Sequence, residues 1–363
     1  MGKIGLPEID IVFRQKAVSA ITRSERGVAC IIVREAAKKQ TGVKLYKYET
    51  DIQKSDYTAD NLAAIKRAFL NAVNKVYVVS VTTEAPFTDV VAQLENIRYN
   101  YVCSTAAKDQ QELANYIVTK NEKSKGKKYV AVVADVTTAD SKYVINVKNA
   151  SVHISGGETV AMPMYLPRLT SILANLPINR SMTYYVLEDI DDIDTTFVKP
   201  ESDVDSWINK GYLVLIKDDD EIKVGRAVNS LTSFTATDTE DMRKIVIVES
   251  MNIILEDIYS TFKDYYVGKY KNSYDNQCLL ISSINSYFRE LAKEEVLDPD
   301  YENIAEVDVA AQREAWLTVG KLEAEDWKED KVKNMSFKST VFLTGNVKIL
   351  DAIEDLKFTI DME

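Results

Sequence analysis

Residues 75–136 have the sequence KVYVVSVTTEAPFTDVVAQLENIRYNYVCSTAAKDQQELANYIVTKNEKSKGKKYVAVVADV. Apolar runs rich in β-branched residues alternate here with segments of helical spacing, at 76–81, 87–97, 99–104, 108–124 and 128–136. Continuously apolar strands that alternate with helices are typical of a parallel sheet covered by helices on both faces. The stretch therefore predicts an α/β fold for the middle of the chain.

Outward from this stretch, the pattern predicts further strands before it and a helix-rich region after it. Strand-like runs at 28–33 and 43–48 precede a helix at 60–73, and an acidic turn at 218–221 separates the two strands of a predicted hairpin. Beyond about residue 239 apolar residues recur at spacings of three and four, which predicts helices at 244–266, 276–295 and 308–319. The fold class expected for the whole chain is α/β in the middle and α+β overall.

The composition argues against several classes of protein. The 363 residues carry a net charge of −11, whereas binding to nucleic acid requires a basic surface. The sequence contains neither an apolar run long enough for a membrane span nor an N-terminal secretory signal. Cys30, Cys103 and Cys278 are widely spaced and lie in apolar runs, which predicts buried free thiols and synthesis in a reducing, cytoplasmic environment.

The sequence contains no convincing catalytic motif, so we expect no catalytic, cofactor or metal residues. His153 is the single histidine, and its alternating surroundings favour a strand histidine with a satisfied hydrogen bond. Gly268-Lys269 lacks the rest of a phosphate loop, and the acidic run at 188–194 lacks the spacing of a calcium loop. An α/β-fold hydrolase or nucleotide-binding enzyme remains the alternative class, and a monomeric binding module is a third.

Both ends of the chain alternate between apolar and polar residues, as a strand with one apolar face does. At the N-terminus the apolar positions are Ile9, Ile11 and Phe13. At the C-terminus they are Leu356, Phe358, Ile360 and Met362. The pattern leaves open whether these strands pair within their own domain or with another copy of the chain.

The two ends also differ in charge. Residues 1–39 carry eight basic and four acidic groups, whereas residues 346–363 carry five acidic and two basic groups. Opposite charges would help two ends of different copies to meet in a defined register. Chance composition on solvated surfaces is an equally good explanation.

Several segments, in the same order, resemble contractile phage tail sheath proteins. They are GLPEIDIVFRQKAVSAITRSERGVACIIV (5–33), GRAVNSLTSF (225–234), IVIVESMNIILEDIYSTFKDYYVGKYKNS (245–273), DVAAQREAWLTVG (308–320) and VFLTGNVKILDAIEDLKFTI (341–360). The chain is similar in particular to the short sheaths of defective-prophage tails and of R-type, diffocin-like bacteriocins. Asn229-Ser230-Leu231-Thr232 stands where the family tends to have Asn-Thr-Leu-Thr.

The resemblance implies a subtilisin-like middle domain without a catalytic triad, and four regions along the chain. These would be an N-terminal arm (1–22), an α/β sheath domain (23–238, with its core at about 75–235), a helix-rich inner-wall domain (239–344) and a C-terminal arm (345–363). Both arms would pair with neighbouring copies, through Ile9, Ile11 and Phe13 and through the four apolar C-terminal positions.

The resemblance also implies partners. They would be other copies of the chain in a helical polymer of rings, a tail tube protein, and baseplate and terminator proteins, with no cofactor, nucleic acid or membrane insertion. Lys263, Lys269 and Lys271 are the expected contacts with an acidic tube, although solvated lysines near helix ends would look the same. Assembly would take place in the cytoplasm, and the product would be a phage tail or a released tail-like particle.

Overall fold

The computed structural model describes residues 20–36, 39, 41–70, 73–193 and 201–362, apart from the side chains of residues 201 and 202. The predicted N-terminal strand of Ile9, Ile11 and Phe13 lies outside the described residues. The chain forms two compact units. The α/β unit comprises Arg23–Ser260 and Ile349–Glu363, and the helical unit comprises Thr261–Lys348 with the described residues before Arg23. The domain boundaries expected at 22, 238 and 344 stay predictions.

The described residues form strands and helices at the following positions. The strands are β1 (Val28–Glu35), β2 (Gly42–Tyr46), β3 (Lys75–Thr82), β4 (Tyr101–Ser104), β5 (Val130–Ala134), β6 (Val144–Val147), β7 (Ser151–Ile154), β8 (Thr159–Ala161), β9 (Ile190–Ile193), β10 (Tyr212–Leu213), β11 (Leu215–Asp218), β12 (Glu221–Val224), β13 (Ile304–Val307) and β14 (Leu343–Asn346). The helices are α1 (Ala59–Arg67), α2 (Phe87–Leu94), α3 (Gln110–Lys123), α4 (Met162–Asn175), α5 (Glu201–Asn209), α6 (Ile245–Thr261), α7 (Tyr274–Lys293), α8 (Val309–Thr318) and α9 (Glu329–Asn334).

A seven-stranded sheet in the order β10-β6-β5-β4-β1-β3-β2 forms the centre of the α/β unit. All neighbouring strands in it are parallel except β2, which pairs antiparallel to β3 at one edge. The predicted α/β fold with a parallel sheet is therefore confirmed. β7, β8 and β9 form a separate three-stranded sheet, and β11 pairs with β12 in a hairpin.

The central strand β1 contributes to two apolar cores because its side chains alternate between the faces of the sheet. Ala29, Ile31 and Val33 pack with residues of α1 and α4 on one face. Val28, Cys30 and Ile32 pack with residues of α2 and α3 on the other. Helices on both faces explain why the sequence of this strand is continuously apolar.

A buried ion pair lies at the carboxyl ends of β1 and β4. The guanidinium of Arg34 donates to both carboxylate oxygens of Asp109, from Nε at 2.9 and 3.0 Å and from Nη2 at 2.6 Å. The hydroxyl of Ser104 donates to the same carboxylate at 2.7 Å, and Arg34 also donates to the carbonyl of Ala85 at 2.7 Å. These contacts join β1, β4 and the start of α3 through polar groups that satisfy one another.

The helical unit contains α7, α8, α9 and a two-stranded antiparallel sheet of β13 and β14. The side chain of Asn285, on α7, holds the middle of β13: it accepts from the amide of Ala305 at 2.7 Å and donates to the same residue's carbonyl at 3.1 Å. A two-stranded sheet is only marginally stable alone. Asn285 therefore fixes β13 on the helix.

Candidate assembly interface

Residues 350–362 of the predicted C-terminal arm belong to no helix or strand. Its alternating apolar side chains are exposed to solvent instead of buried: Leu356 by 87%, Phe358 by 75%, Ile360 by 68% and Met362 by 93%. Soluble proteins seldom leave several large apolar side chains exposed in one row unless the row has a binding partner. The arm therefore has the side-chain pattern of a strand and no strand partner among the described residues.

The root of this arm is nevertheless held on the α/β unit, at Glu354. The hydroxyls of Ser181 and Thr183 donate to its Oε1 at 3.0 and 2.6 Å. Its Oε2 faces two cations, with Lys244 Nζ at 3.6 Å and Arg226 Nε at 3.9 Å. The Glu354 side chain is only 4% exposed, in contrast to the arm residues that follow it. A buried carboxylate needs such partners, because burial without them would cost several kcal/mol, roughly the desolvation penalty of an unpaired ion.

Two flanking carboxylates, of Asp351 and Asp355, help to neutralise the two cations that face Glu354. Arg226 Nη2 donates to Asp355 Oδ1 at 2.5 Å, and Lys244 forms an ion pair with Asp351. The hydrogen bond raises the pKa of Arg226 and lowers the pKa of Asp355. Burial lowers the pKa of Lys244, but the hydrogen bond with Asp351 and the charges of Asp351 and Glu354 outweigh burial and raise it overall. The ion pair of Asp355 with Arg226 therefore stabilises the folded chain fully at neutral pH. This stabilisation is lost only as the pH falls through the lowered pKa of Asp355.

One edge of β14 pairs with β13, and the other edge has no strand partner in the part of the chain that the structure describes. The carbonyl of Phe342 accepts from the amide of Asp308 at 3.0 Å, and that of Lys348 accepts from the amide of Asp298 at 2.8 Å, so backbone groups of even-numbered residues face β13. Backbone groups of successive strand residues point to opposite sides. The outward-facing amides and carbonyls belong to Leu343, Gly345 and Val347.

The opposite edge of this sheet, along β13, is blocked at its centre. Ala305 pairs with Gly345 across the sheet, and its amide and carbonyl are both bonded to the Asn285 side chain. An added strand would have to displace Asn285 to reach these groups. Of the two strands, β14 therefore offers the more accessible edge.

The three lysines expected to contact a tube lie close together in sequence, between α6 and α7. Lys263, Lys269 and Lys271 are all exposed, and the Lys269 ammonium donates to the carbonyl of Asp264. Their exposure is compatible with a contact surface and equally with solvated lysines. The tube contact stays a prediction.

One buried polar pair lies on the side of the central sheet where α/β enzymes usually bind their ligands. In α/β sheets ligands bind beyond the carboxyl ends of the strands, where this chain has the Arg34–Asp109 pair. His153 lies on β7 with its Nδ1 2.6 Å from Asp191, in agreement with the strand position predicted for it. Within the described ranges no group of three acidic, cysteine or histidine side chains could hold a metal ion.

The cysteines differ slightly from expectation. Cys30 and Cys103 are buried in the sheet, and burial raises the pKa of Cys103 to about 12, so its thiol stays protonated and unreactive. Cys278 is only half-buried, so the expectation of three buried thiols is wrong for this residue. None of the helices that the structure describes is long and apolar enough to cross a membrane.

Sequence reasoning missed Glu354, Asn285 and the open edge of β14. Glu354 is not one of the alternating apolar positions by which the sequence identifies the arm. Its signal was the acidic pair Glu354-Asp355 directly before the alternating segment, opposite in charge to Arg226 in GRAVNSLTSF. Only the folded chain brings these segments together.

Comparison with known proteins supports one family along the whole chain. The family model for the phage tail sheath C-terminal domain matches residues 237–363. A tail sheath protein of Clostridium phage phiCD119 is 31% identical over 372 aligned residues, covering 99% of this chain and 99% of that protein.

Two solved structures share the fold. The sheath tail protein of Desulfitobacterium hafniense superimposes with a TM-score of 0.69 at 15% identity, over 83% of this chain and 94% of that one. The helical sheath protein of the anti-feeding prophage, in its contracted state, superimposes with a TM-score of 0.69 at 14% identity, over 99% of this chain and 100% of that one. With the full-length relative, these matches leave one conclusion: the chain belongs to the phage tail sheath protein family and is a structural subunit of a tail sheath.

Proposed function

We propose that this subunit polymerises into rings stacked as a helix around a tail tube, and that it does so by lending its terminal strands to neighbouring copies. The observation that carries the proposal is the C-terminal arm, whose alternating apolar side chains are exposed and whose backbone has no strand partner among the described residues. A strand of this kind can add to the open edge of another sheet, gaining backbone hydrogen bonds and burying its apolar face. The N-terminal positions Ile9, Ile11 and Phe13 are proposed to act in the same way.

The acceptor in this proposal is the outer edge of β14 in another copy. Among the described residues, its outward amides and carbonyls have no backbone partner, whereas the β13 edge is blocked by Asn285. A sheet with one open edge grows on that side only. Two lent strands would therefore lie side by side beyond β14, turning a marginal two-stranded sheet into a four-stranded one shared by several copies.

The proposed sheath contracts by changing between two helical lattices of nearly rigid subunits. The extended lattice is held by the tube and baseplate, and the contracted lattice buries more surface between copies. The difference in free energy, stored during assembly, would drive the tube through a target envelope without a nucleotide or other cofactor. The lent strands act as hinges that keep the subunits connected during the change.

Further partners of the proposed sheath are the tube, the baseplate and a terminator protein. A contact with an acidic tube surface would use the three exposed lysines Lys263, Lys269 and Lys271, whose positive charges would complement it. Assembly takes place in the bacterial cytoplasm in this proposal, and the product is a phage tail or a tail-like particle.

The direct test is electron microscopy of the purified chain, concentrated alone or mixed with tube and baseplate proteins. We expect hollow helical tubes by negative stain. Monomers under all of these conditions would contradict polymerisation and would favour a binding module whose terminal strands serve another purpose.

The charge of the C-terminal arm offers a second test. Asp361→Lys changes an exposed residue on the polar side of the arm and is expected to slow tube formation without changing the final polymer, because exposed charges act mainly on association rates. The difference from the unmodified chain should shrink as salt is raised, since screening weakens such attraction. Light scattering at several salt concentrations measures both effects, and rates that are equal at low salt would contradict an electrostatic role for the arm.

A further inference from the structure

We propose that Glu354 is the positioning residue of the C-terminal arm, fixing where the exposed, unpaired part of the arm begins. This inference rests on the proposed strand donation but concerns a different part of the molecule. Donation concerns residues 356–362 and their acceptor, whereas Glu354 is held by Ser181, Thr183, Arg226 and Lys244 of its own subunit.

Burial singles out Glu354 among the three acidic residues of the arm root. Its side chain is 4% exposed, whereas those of Asp351 and Asp355 are 43% and 70% exposed. Exposed ion pairs contribute little because water and salt screen them, whereas removal of the buried Glu354 carboxylate would leave the hydroxyls of Ser181 and Thr183 without the acceptor they share. Glu354 is thus the main anchor, and the two aspartates support it.

The position of the anchor determines how far the arm can reach. Residues 356–362 span about 25 Å when extended, whereas a segment freed from Ile349 onward would span about 50 Å. Shortening a tether twofold raises the effective concentration of its end about threefold, provided that the shorter tether still spans the gap. A fixed starting point also favours one pairing register, and register matters because a slip of one residue would turn the apolar face of the strand outward.

The anchor can be tested in the free subunit, before any polymer forms. Spin labels at Lys357→Cys and Asp220→Cys, in a Cys278→Ser background, report the distance between the arm and the exposed turn that joins β11 and β12. Cys30 and Cys103 are buried and are not expected to react with the label. We expect a narrow distance distribution with Glu354 present and a clearly broader one in Glu354→Ala.

Two further variants separate anchoring from a general loss of structure. Glu354→Gln keeps an oxygen that accepts from Ser181 and Thr183 but loses the charge, so its distribution should lie between the other two. Asp355→Asn is the matched control, since it removes an exposed carboxylate next to the anchor and should broaden the distribution little. Equal distributions for Glu354→Ala and the unmodified arm would overturn the anchor.

Assembly kinetics test the positioning role itself. Without the spin labels, Glu354→Ala should polymerise at least about threefold more slowly, as the lower effective concentration predicts, and its tubes should show weaker helical order. Unchanged rate and order, together with a broadened distance distribution, would overturn positioning while leaving the anchor in place. Failure of strand donation would be seen in a different experiment, because a chain lacking residues 356–363 would then still form tubes. The distances measured in the full-length free subunit do not depend on that outcome.

Discussion

A chain that ends at Asp355 is expected to fold as a stable monomer and to form no tubes under conditions in which the full chain polymerises. The deletion removes Leu356, Phe358, Ile360 and Met362, which are exposed and contribute nothing to the core of the free subunit. Burying four such side chains in a neighbour would contribute roughly 6–12 kcal/mol per lent strand, at about 1.5–3 kcal/mol each. Losing this contribution at every junction should abolish the polymer. Negative-stain microscopy and light scattering measure the polymer, and thermal melting measures the fold.

A single substitution tests the same strand more narrowly. Phe358→Pro removes an apolar side chain and one backbone donor, and proline is excluded from the interior of a paired strand, so we expect the same loss of tubes. Thr359→Ala, on the opposite face, is the matched control and should polymerise normally. Tubes formed by both Phe358→Pro and the truncated chain would contradict strand donation. A large drop in melting temperature on truncation would instead place the arm within the subunit's own core.

The α/β architecture could be predicted from sequence because a strand buried on both faces must be apolar almost throughout. β1, β3, β4 and β5 all show this pattern, and the helices between them show helical spacing. The alternation of the C-terminal arm was equally visible, because a strand that uses one face keeps its period even when its partner belongs to another molecule.

Features that depend on tertiary contacts were not predictable in the same way. Residues 212–216 form one apolar run in the sequence but are divided in the structure: Tyr212 and Leu213 join the central sheet, and β11 begins at Leu215 and turns into the hairpin with β12. Both parts are apolar, so the sequence pattern contains no sign of the change. Proline normally interrupts a helix, yet α4 begins at Met162 and includes Pro167.

The anchor at Glu354 shows the same limit for the candidate site. A glutamate next to an aspartate near the end of a chain is typical of a solvated segment. Glu354 is buried only because residues distant in sequence surround it in the fold. Ser181, Thr183, Arg226 and Lys244 come from three separate parts of the sequence. The apolar alternation of the arm was therefore predictable, and its attachment to the α/β unit was not.

The largest expected effect on stability is that of Asp109→Ala. Its carboxylate is fully buried and neutralises Arg34, whose side chain is only 6% exposed. Removing one member of a buried pair leaves an uncompensated charge and costs about 3–5 kcal/mol, a large share of the roughly 5–15 kcal/mol by which a domain is stable. Hydrogen exchange of peptides from β1 and β4 measures this loss within the α/β unit.

Two further variants test whether the stability lost in Asp109→Ala results from leaving a buried charge without a partner. Glu49→Ala removes an ion pair with Lys66 in which both side chains are more than a third exposed, and it should cost less than about 1 kcal/mol. Replacing both buried partners, by Arg34→Met and Asp109→Leu together, should recover much of the stability that Asp109→Ala loses, because no charge is then left without a partner. If Asp109→Ala costs no more than Glu49→Ala, the pair does not support the junction of β1, β4 and α3. If the double variant is no more stable than Asp109→Ala, then the shape and hydrogen bonds of the pair matter more than its charge.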